Sequence, residues 1–221
     1  MPSSGIIDQL WTWTPFLLQG FGWNLLIAAS ASALGTLIGV TLVGMQFSSH
    51  PLISRSGEFI SQSFYRVPTI ALMFYGAFLL PQEFEWPWGG ELQHFPAWIK
   101  ATLALSASPI GFTAQNLPSA VHHWRKGNRG AALLFIPSWC NSLIITIIAS
   151  SGASLVGVSE IVSRTNKIIS ALQDSTLLVP LYLYASGFFL LFCYPLTLAL
   201  RKLHSHLSKQ VKLRQDTVCD E

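Results

Sequence analysis

Charged residues are scarce in this chain, and the long stretches without them exclude a water-soluble monomer. Asp, Glu, Lys and Arg make up 10% of the 221 residues, whereas soluble domains carry about 25%. No charged side chain falls between Asp8 and Arg55, nor within 101–124, 130–159 or 175–200. Each run meets or exceeds the roughly 20 apolar residues that cross a bilayer core. The sequence therefore predicts membrane helices, and it lacks the alternating pattern of membrane barrel strands.

Sequence signatures of catalysis and of bound metals are also missing. The three cysteines have no C-x-x-C spacing, so they predict neither a disulfide framework nor a metal site. The phosphate-binding string G-x-x-x-x-G-K-[ST] is absent, which excludes ATP hydrolysis by a P-loop. G-x-S-x-G and metal-spaced His pairs are absent too. We predict a protein that is not an enzyme, with no cofactor, no metal and no nucleic-acid partner.

Five apolar segments predict an all-α membrane protein with five transmembrane helices. The amino terminus lacks a basic n-region, so we expect the first segment to stay as an anchor. We divide the chain into a Trp-rich interfacial segment (1–19), a five-helix membrane domain (20–204) and a basic tail (205–221). The predicted spans are 20–45, 59–80, 97–121 with interruptions at Pro109 and Pro118, 131–158, and 176–200.

Two smaller patterns accompany the spans. Ala31, Gly35 and Gly39 stand four residues apart, which predicts close approach of another helix. Residues 159–175 have apolar positions near helical spacing, which predicts an amphipathic helix on the surface.

Lys and Arg are distributed unequally between the two sides that five spans define. Cytoplasmic loops carry the excess of these residues, so the amino terminus is predicted outside and the carboxyl terminus inside. The tail is basic and amphipathic, as expected for a helix lying on anionic lipid. The richer side holds Arg55, Arg125, Lys126, Arg129, Arg201, Lys202, Lys209, Lys212 and Arg214, and the other holds Lys100, Arg164 and Lys167.

Six short strings stand in an order that matches one protein family. LLQGFGWNL (17–25) is similar to LLxGxxxTL, and YRVPTIALMFYGAFLLP (65–81) to an Arg-Gly-Thr-Pro element that ends near Phe-Gly-Leu-Pro. GFTAQ (111–115) is similar to GAYxAE, and KGNRGAA (126–132) to KGQxEAA. Residues 136–144 are similar to LPPLxNxxI, and residues 156–160 to IGVSE. Over about 17–207 the chain thus resembles the five-helix permease subunits of bacterial ABC importers, in the polar amino acid uptake branch.

This resemblance implies a type I importer permease in the bacterial inner membrane that moves amino acids. The implied partners are membrane lipid, a second permease subunit (identical or sister), a cytoplasmic ABC ATPase and a periplasmic solute-binding protein. It assigns coupling to the ATPase to one loop, whose residues are Arg125, Lys126, Gly127, Arg129, Gly130, Ala131 and Ala132. Positive-inside topology and lipid headgroups explain the basic residues of this loop equally well.

The coupling loop departs from the family in length and in charge. Gly130 replaces the glutamate of the KGQxEAA string, and three residues separate Ala132 from the next matched string. A helix over the nine residues 122–130 would be about 13 Å long, which leaves nothing for turns. Either the coupling helix is missing, or residues 131–137 project as a shortened substitute.

Polar residues within the spans are candidates for a substrate path. Amide and hydroxyl groups can hydrogen-bond an amino acid, although such groups also join membrane helices to one another. Arg66 can line the path or extend to the interface. Where the family has glutamate, arginine and Lys-Asp-Thr-Ser-Leu, this chain has Gln115, Pro118 and residues 148–152. The candidate path residues are Arg66, Gln115, Asn116, Asn141, Ser150 and Ser151.

Two further functions stay open beside the permease. One is a diverged scaffold subunit that no longer engages an ATPase, as the shortened loop suggests. The other is a membrane enzyme or an ATP-independent pore, which would need a cluster of ionisable residues facing a cavity.

Overall fold

The computed structural model describes residues 6–79, 81, 83–84 and 93–219. Residues 1–5, 80, 82, 85–92 and 220–221 lie outside the described part of the chain, so what the sequence predicts for them stays a prediction. Within the described residues the fold is all-α apart from one pair of two-residue antiparallel strands. The helices are α1 (Ile6–Gln46), α2 (Pro51–Arg66), α3 (Thr69–Phe78), α4 (Ala97–Arg125), α5 (Arg129–Leu133), α6 (Phe135–Ala149), α7 (Ile161–Leu172) and α8 (Leu178–Cys219). Two 3-10 helices cover Ser150–Val156 and Ser175–Leu177, and the strands are β1 (Glu83–Phe84) and β2 (Gln93–His94).

Three described stretches are long and apolar enough to cross a membrane: Leu10–Gln46, Arg129–Val156 and Leu178–Lys209. The predicted second span is wrong as a single helix over 59–80. Helix α2 begins at Pro51 and ends at Arg66, and α3 begins after Pro68. Proline lacks a backbone N–H and disfavours helical geometry in the residue before it. Val67 accordingly has extended backbone angles (φ −78°, ψ 127°).

The small residues of α1 mark a close approach to α4, as their spacing predicts. A Cβ on Gly35 would lie 2.6 Å from the carbonyl oxygen of Ser106, and one on Gly39 would lie 2.6 Å from Cβ of Thr113. Ala31 is fully buried. The interruptions predicted at Pro109 and Pro118 do not occur, because α4 runs through both prolines.

The chain divides into two compact units. Unit one contains Met1–Ser30, Pro68–Leu105 and Ile147–Phe192, and unit two contains Ala31–Val67, Ser106–Thr146 and Cys193–Glu221. Helices α1, α4, α6 and α8 each contribute residues to both units. The core of unit one is built on Leu17, Phe21, Ile161, Ile168, Leu177, Leu181 and Ala185, and that of unit two on Leu42, Ile110 and Ala114.

Helix α7 has the amphipathic pattern that its sequence predicts. Its apolar residues have helical spacing and face the core of unit one, whereas Asn166, Lys167 and Ser170 are exposed. Ile161, Thr165 and Ile168 are buried in unit one, and the guanidinium-bearing Arg164 is 7% exposed. The amphipathic pattern arises because one face of α7 packs into the same core as Leu17 and Phe21 of α1.

Candidate functional site: a polar cavity beside a short helix

A one-turn helix occupies the place of the predicted coupling loop. After α4 ends at Arg125, Gly127 adopts a left-handed conformation (φ 78°), which glycine tolerates at no steric cost. The side chain of Asn128 then caps α5 by accepting a hydrogen bond from the backbone N–H of Ala131 at 3.2 Å. A five-residue helix, Arg129–Leu133, therefore stands where the sequence left open either no coupling helix or a substitute over 131–137, and residues 135–137 belong to α6.

The basic residues of this turn are exposed. Arg125 lies over the ring of Phe47 at 5.1 Å, and Arg129 over the ring of Trp124 at 5.6 Å. Such cation–π contacts orient a guanidinium while its donors stay accessible. Ala132 is buried, so the inner side of α5 is anchored and its outer side carries the positive charge.

Gly130 lies close to Val211, near the end of α8. A Cβ on Gly130 would lie 2.9 Å from Cγ2 of Val211, closer than side-chain carbons approach in ordinary packing. The glutamate that the resembling family has at this position would require Val211 to move. Any side chain at this position therefore competes with Val211 for space.

A polar cavity of about 450 Å³ lies in unit two between α4, α6 and α8. Two of the predicted path residues, Asn116 and Asn141, line it together. The complete lining is Phe112, Asn116, Pro137, Ser138, Asn141, Thr197, Leu200, Arg201 and His204. A volume of this size fits a small organic ligand.

A second cavity of about 270 Å³ lies beside the first and is lined in part by α5. Asn116 and Ser138 line both cavities, and the second is also lined by His123, Ala131 and Leu134. Two of the predicted path residues and one residue of the predicted coupling loop therefore lie around neighbouring cavities.

The other predicted path residues lie elsewhere. Gln115 is exposed on α4 beside the cavity lining. Arg66 is exposed at the end of α2, where its Nη2 donates to Oε1 of Gln62 at 3.4 Å. Ser150 and Ser151 belong to unit one and donate to the carbonyl oxygens of Ile147 and Ile148. The six residues do not form one cluster.

Sequence reasoning did not include the residues that α8 contributes to the cavity. Thr197, Arg201 and His204 stand at i, i+4 and i+7 and thus share one helix face. The signal was present, since polar residues at helical spacing continue past the end of the apolar run 178–200. The sequence alone assigns Arg201 to the positive charges of the cytoplasmic side, and His204 ends the predicted membrane domain.

A set of hydrogen bonds in unit one joins α1 to the start of α7. Glu160 caps α7: its Oε1 accepts from the N–H of Ser163 (2.8 Å) and its Oε2 from that of Val162 (2.9 Å). Asn24 on α1 donates from Nδ2 to Oε2 of Glu160 (3.0 Å) and to Oγ of Ser150 (3.1 Å). Its Oδ1 accepts from the N–H of Ile161 at 3.2 Å.

Burial raises the pKa of Glu160 above its ordinary value, while the hydrogen bonds from Val162, Ser163 and Asn24 lower it by less. Because both carboxyl oxygens are already hydrogen-bonded, this group serves as a cap and a link between helices. Among the described residues, no group of three or more His, Cys, Asp or Glu side chains is placed to hold a metal ion.

Arg164, the other buried ionisable residue of α7, is held by acceptors on α1. Its Nη1 donates to the carbonyl oxygen of Phe16 (2.8 Å) and to Oε1 of Gln19 (2.6 Å). Its Cδ would lie 2.7 Å from a Cβ on Gly20, and that Cβ would lie 2.9 Å from the backbone nitrogen of Ile161. Because Gly20 has no side chain, α7 can pack directly against α1 at this position.

Two strings that resemble the importer permeases thus meet in space. Gly20 and Asn24 belong to LLQGFGWNL, and Glu160 ends the string similar to IGVSE. More than 130 residues separate them along the chain, since the Asn24–Glu160 hydrogen bond joins positions 136 apart.

Comparison with known proteins agrees with this assignment of the fold. No protein-family model matches the sequence. A solved structure described as "Crystal structure of an amino acid ABC transporter with histidines" contains a chain with a TM-score of 0.69 to this one, at 17% sequence identity. The match covers 93% of this chain and 98% of the solved chain. The fold expected from the sequence resemblance, that of an amino acid ABC transporter chain, is confirmed.

Proposed function

From the fold that this chain shares with an amino acid ABC transporter chain, we propose that it is a permease subunit of a bacterial ABC importer. It moves amino acids, of the polar class, across the inner membrane, and a separate ATPase subunit supplies the energy. It pairs with an identical or sister permease subunit and receives substrate from a periplasmic solute-binding protein. In this proposal five membrane segments place the amino terminus outside and the carboxyl terminus inside.

The observation that carries the proposal is a fold match over nearly the full length of both chains. The strings that resemble permeases argue against a chance likeness between helical bundles, because Asn24 of one string donates a hydrogen bond to Glu160 of another. The chain itself lacks a P-loop, which is consistent with energy from another subunit.

The cavities of unit two support a role for the cytoplasmic half of the path. Asn116 and Asn141 present amide groups to the larger cavity, and Asn116 also lines the smaller cavity beside Ala131 of α5. A displacement of α5 by an ATPase would therefore change the wall of the smaller cavity, which shares Asn116 and Ser138 with the larger one. Chains of packed side chains of this kind can carry coupling between two sites.

Co-expression with the ATPase and the second permease subunit tests the proposal. We expect a complex that survives purification in detergent and whose ATPase rate rises when the loaded solute-binding protein is added. If the chain neither assembles with an ATPase nor alters its rate, the proposal is wrong.

The scaffold alternative is favoured by one specific observation, the contact between Gly130 and Val211. In this alternative the end of α8 covers α5, and the chain assembles beside a sister permease without engaging an ATPase. A Cys placed at Asn128, in a chain whose three native cysteines are replaced by Ser, separates the two functions. Efficient cross-linking to an ATPase supports the permease, whereas cross-linking to the sister subunit alone supports the scaffold.

A further inference from the structure

We propose that the 450 Å³ cavity of unit two binds the phosphate group of an anionic phospholipid, with Arg201 as its principal ligand. It concerns the same cavity as the proposed substrate path, but its test measures lipid binding alone, so it can fail while the transport activity stands. It assigns a site for a lipid at the point where α8 passes from its apolar run to its basic end.

The lining of the cavity suits an anionic oxygen ligand. Arg201 supplies a permanent positive charge and a fork of N–H donors that matches phosphate geometry. Asn141, Ser138 and His204 add polar groups at the same cavity, and none of its described lining residues is acidic. An anion placed there is attracted by Arg201, and no carboxylate of the described lining repels it.

The surroundings of the cavity favour a lipid over a free phosphate ion. Arg201 directly follows the apolar run 178–200, so it lies where a lipid phosphate would be found if that run spans the bilayer. Tyr194 and Leu198, one to two turns before Arg201 on α8, are 65% and 40% exposed. They offer an apolar surface next to the cavity, as an acyl chain requires. Basic pockets between membrane helices are known to hold such headgroups.

Native mass spectrometry of the full-length chain, in the complex with which it purifies, tests the proposal. The chain is titrated with phosphatidylglycerol, with phosphatidylcholine, and with phosphatidylglycerol in the presence of 100-fold excess inorganic phosphate. The variant is Arg201→Gln, and the matched control is Lys202→Gln. Lys202 is the next residue of α8, is exposed, and does not line the cavity, but its replacement removes the same charge.

We expect tighter binding of phosphatidylglycerol than of phosphatidylcholine, with no displacement by inorganic phosphate. Arg201→Gln should weaken phosphatidylglycerol binding about fivefold, the effect of one basic residue near an anionic lipid surface, and Lys202→Gln should change it less than twofold. Asn141→Leu, which leaves every charge in place, should also weaken phosphatidylglycerol binding. It provides the test if Arg201→Gln lowers the helix content of the protein.

Three results would overturn the proposal. Equal losses in the Arg201 and Lys202 variants would mean general attraction to a basic helix. Equal affinity for the two lipids would mean that the headgroup charge is not recognised. Displacement of the lipid by inorganic phosphate would mean a site for a free anion.

Discussion

Asn24 of α1 donates a hydrogen bond of 3.0 Å to the buried carboxylate of Glu160, which caps α7. The same amide group also contacts Ser150 and the N–H of Ile161. One side chain thus joins three segments of unit one. The start of α7 depends on Asn24, because this side chain bonds both to the capping residue Glu160 and to the N–H of Ile161, the first residue of the helix.

Replacing Asn24 by Ala should destabilise the protein. The change removes three hydrogen bonds and takes from the buried N–H of Ile161 the acceptor that Asn24 supplies, which costs about 1–3 kcal/mol. Thermal unfolding in detergent, followed by tryptophan fluorescence, measures the effect. Asn116→Ala is the control, because the Asn116 side chain is exposed and bonds only within α4 in the described structure. Equal melting temperatures for wild type and Asn24→Ala would contradict the assigned role.

A pair of neighbouring glycines tests the contact between α1 and α7. A Cβ on Gly20 would lie 2.9 Å from the backbone of Ile161, whereas one on Gly22 meets nothing within 4 Å. Gly20→Ala should therefore destabilise the protein by about 1–3 kcal/mol through overpacking. Gly22→Ala should be neutral or stabilising, by up to about 1 kcal/mol, because alanine favours the helix. Indistinguishable unfolding midpoints for the two variants would show that α7 does not approach α1 at Gly20.

The raised pKa of Glu160 predicts a pH dependence of stability. An acid with a higher pKa in the folded state binds more protons when folded. The free energy of unfolding should therefore fall as pH rises from about the ordinary value of 4.5 to the folded pKa. The difference between wild type and Glu160→Gln isolates this contribution, since other carboxyl groups titrate in both proteins. If the free energy of unfolding of the wild type instead rises relative to that of Glu160→Gln over that pH range, the pKa of Glu160 in the folded protein lies below its ordinary value. Burial is then not the main influence on this pKa.

The contact between Gly130 and Val211 predicts a dependence of α5 on the end of α8. Gly130→Glu should displace the last turns of α8, because its Cβ already meets Cγ2 of Val211. Limited proteolysis should then cleave the variant after residue 201 several times faster than wild type. Gly130→Glu combined with Val211→Ala should restore part of the protection, since the smaller side chain leaves room. Unchanged cleavage in the single variant would show that α8 does not cover α5 in solution.

The sequence predicted the helical class and the family resemblance because long uncharged runs and short strings are local properties. It predicted close packing at Gly35 and Gly39 for the same reason, since helical spacing alone places them on one face. It could not identify α4 as their partner. It also could not pair Asn24 with Glu160, which meet only after the intervening helices have folded.

Errors arose where tertiary packing overrides a local pattern. Pro109 was predicted to interrupt α4, yet the helix continues through it and packs against Gly35 of α1. Pro68 produced the opposite error: it separates two helices that hydropathy alone had merged. In the candidate site, the sequence shows Arg201 and His204 only as part of the basic end of α8. They line a cavity together with Asn141 only once the chain has folded.

Uptake by proteoliposomes tests the central claim most directly. The chain is reconstituted with its second permease subunit, the ATPase and the solute-binding protein, and uptake of labelled polar amino acids is followed with and without ATP inside. We predict uptake that requires ATP, is abolished by an ATPase unable to hydrolyse it, and falls when Asn141 is replaced by Leu. Assembly of the complete complex without ATP-dependent uptake of any amino acid would contradict the account.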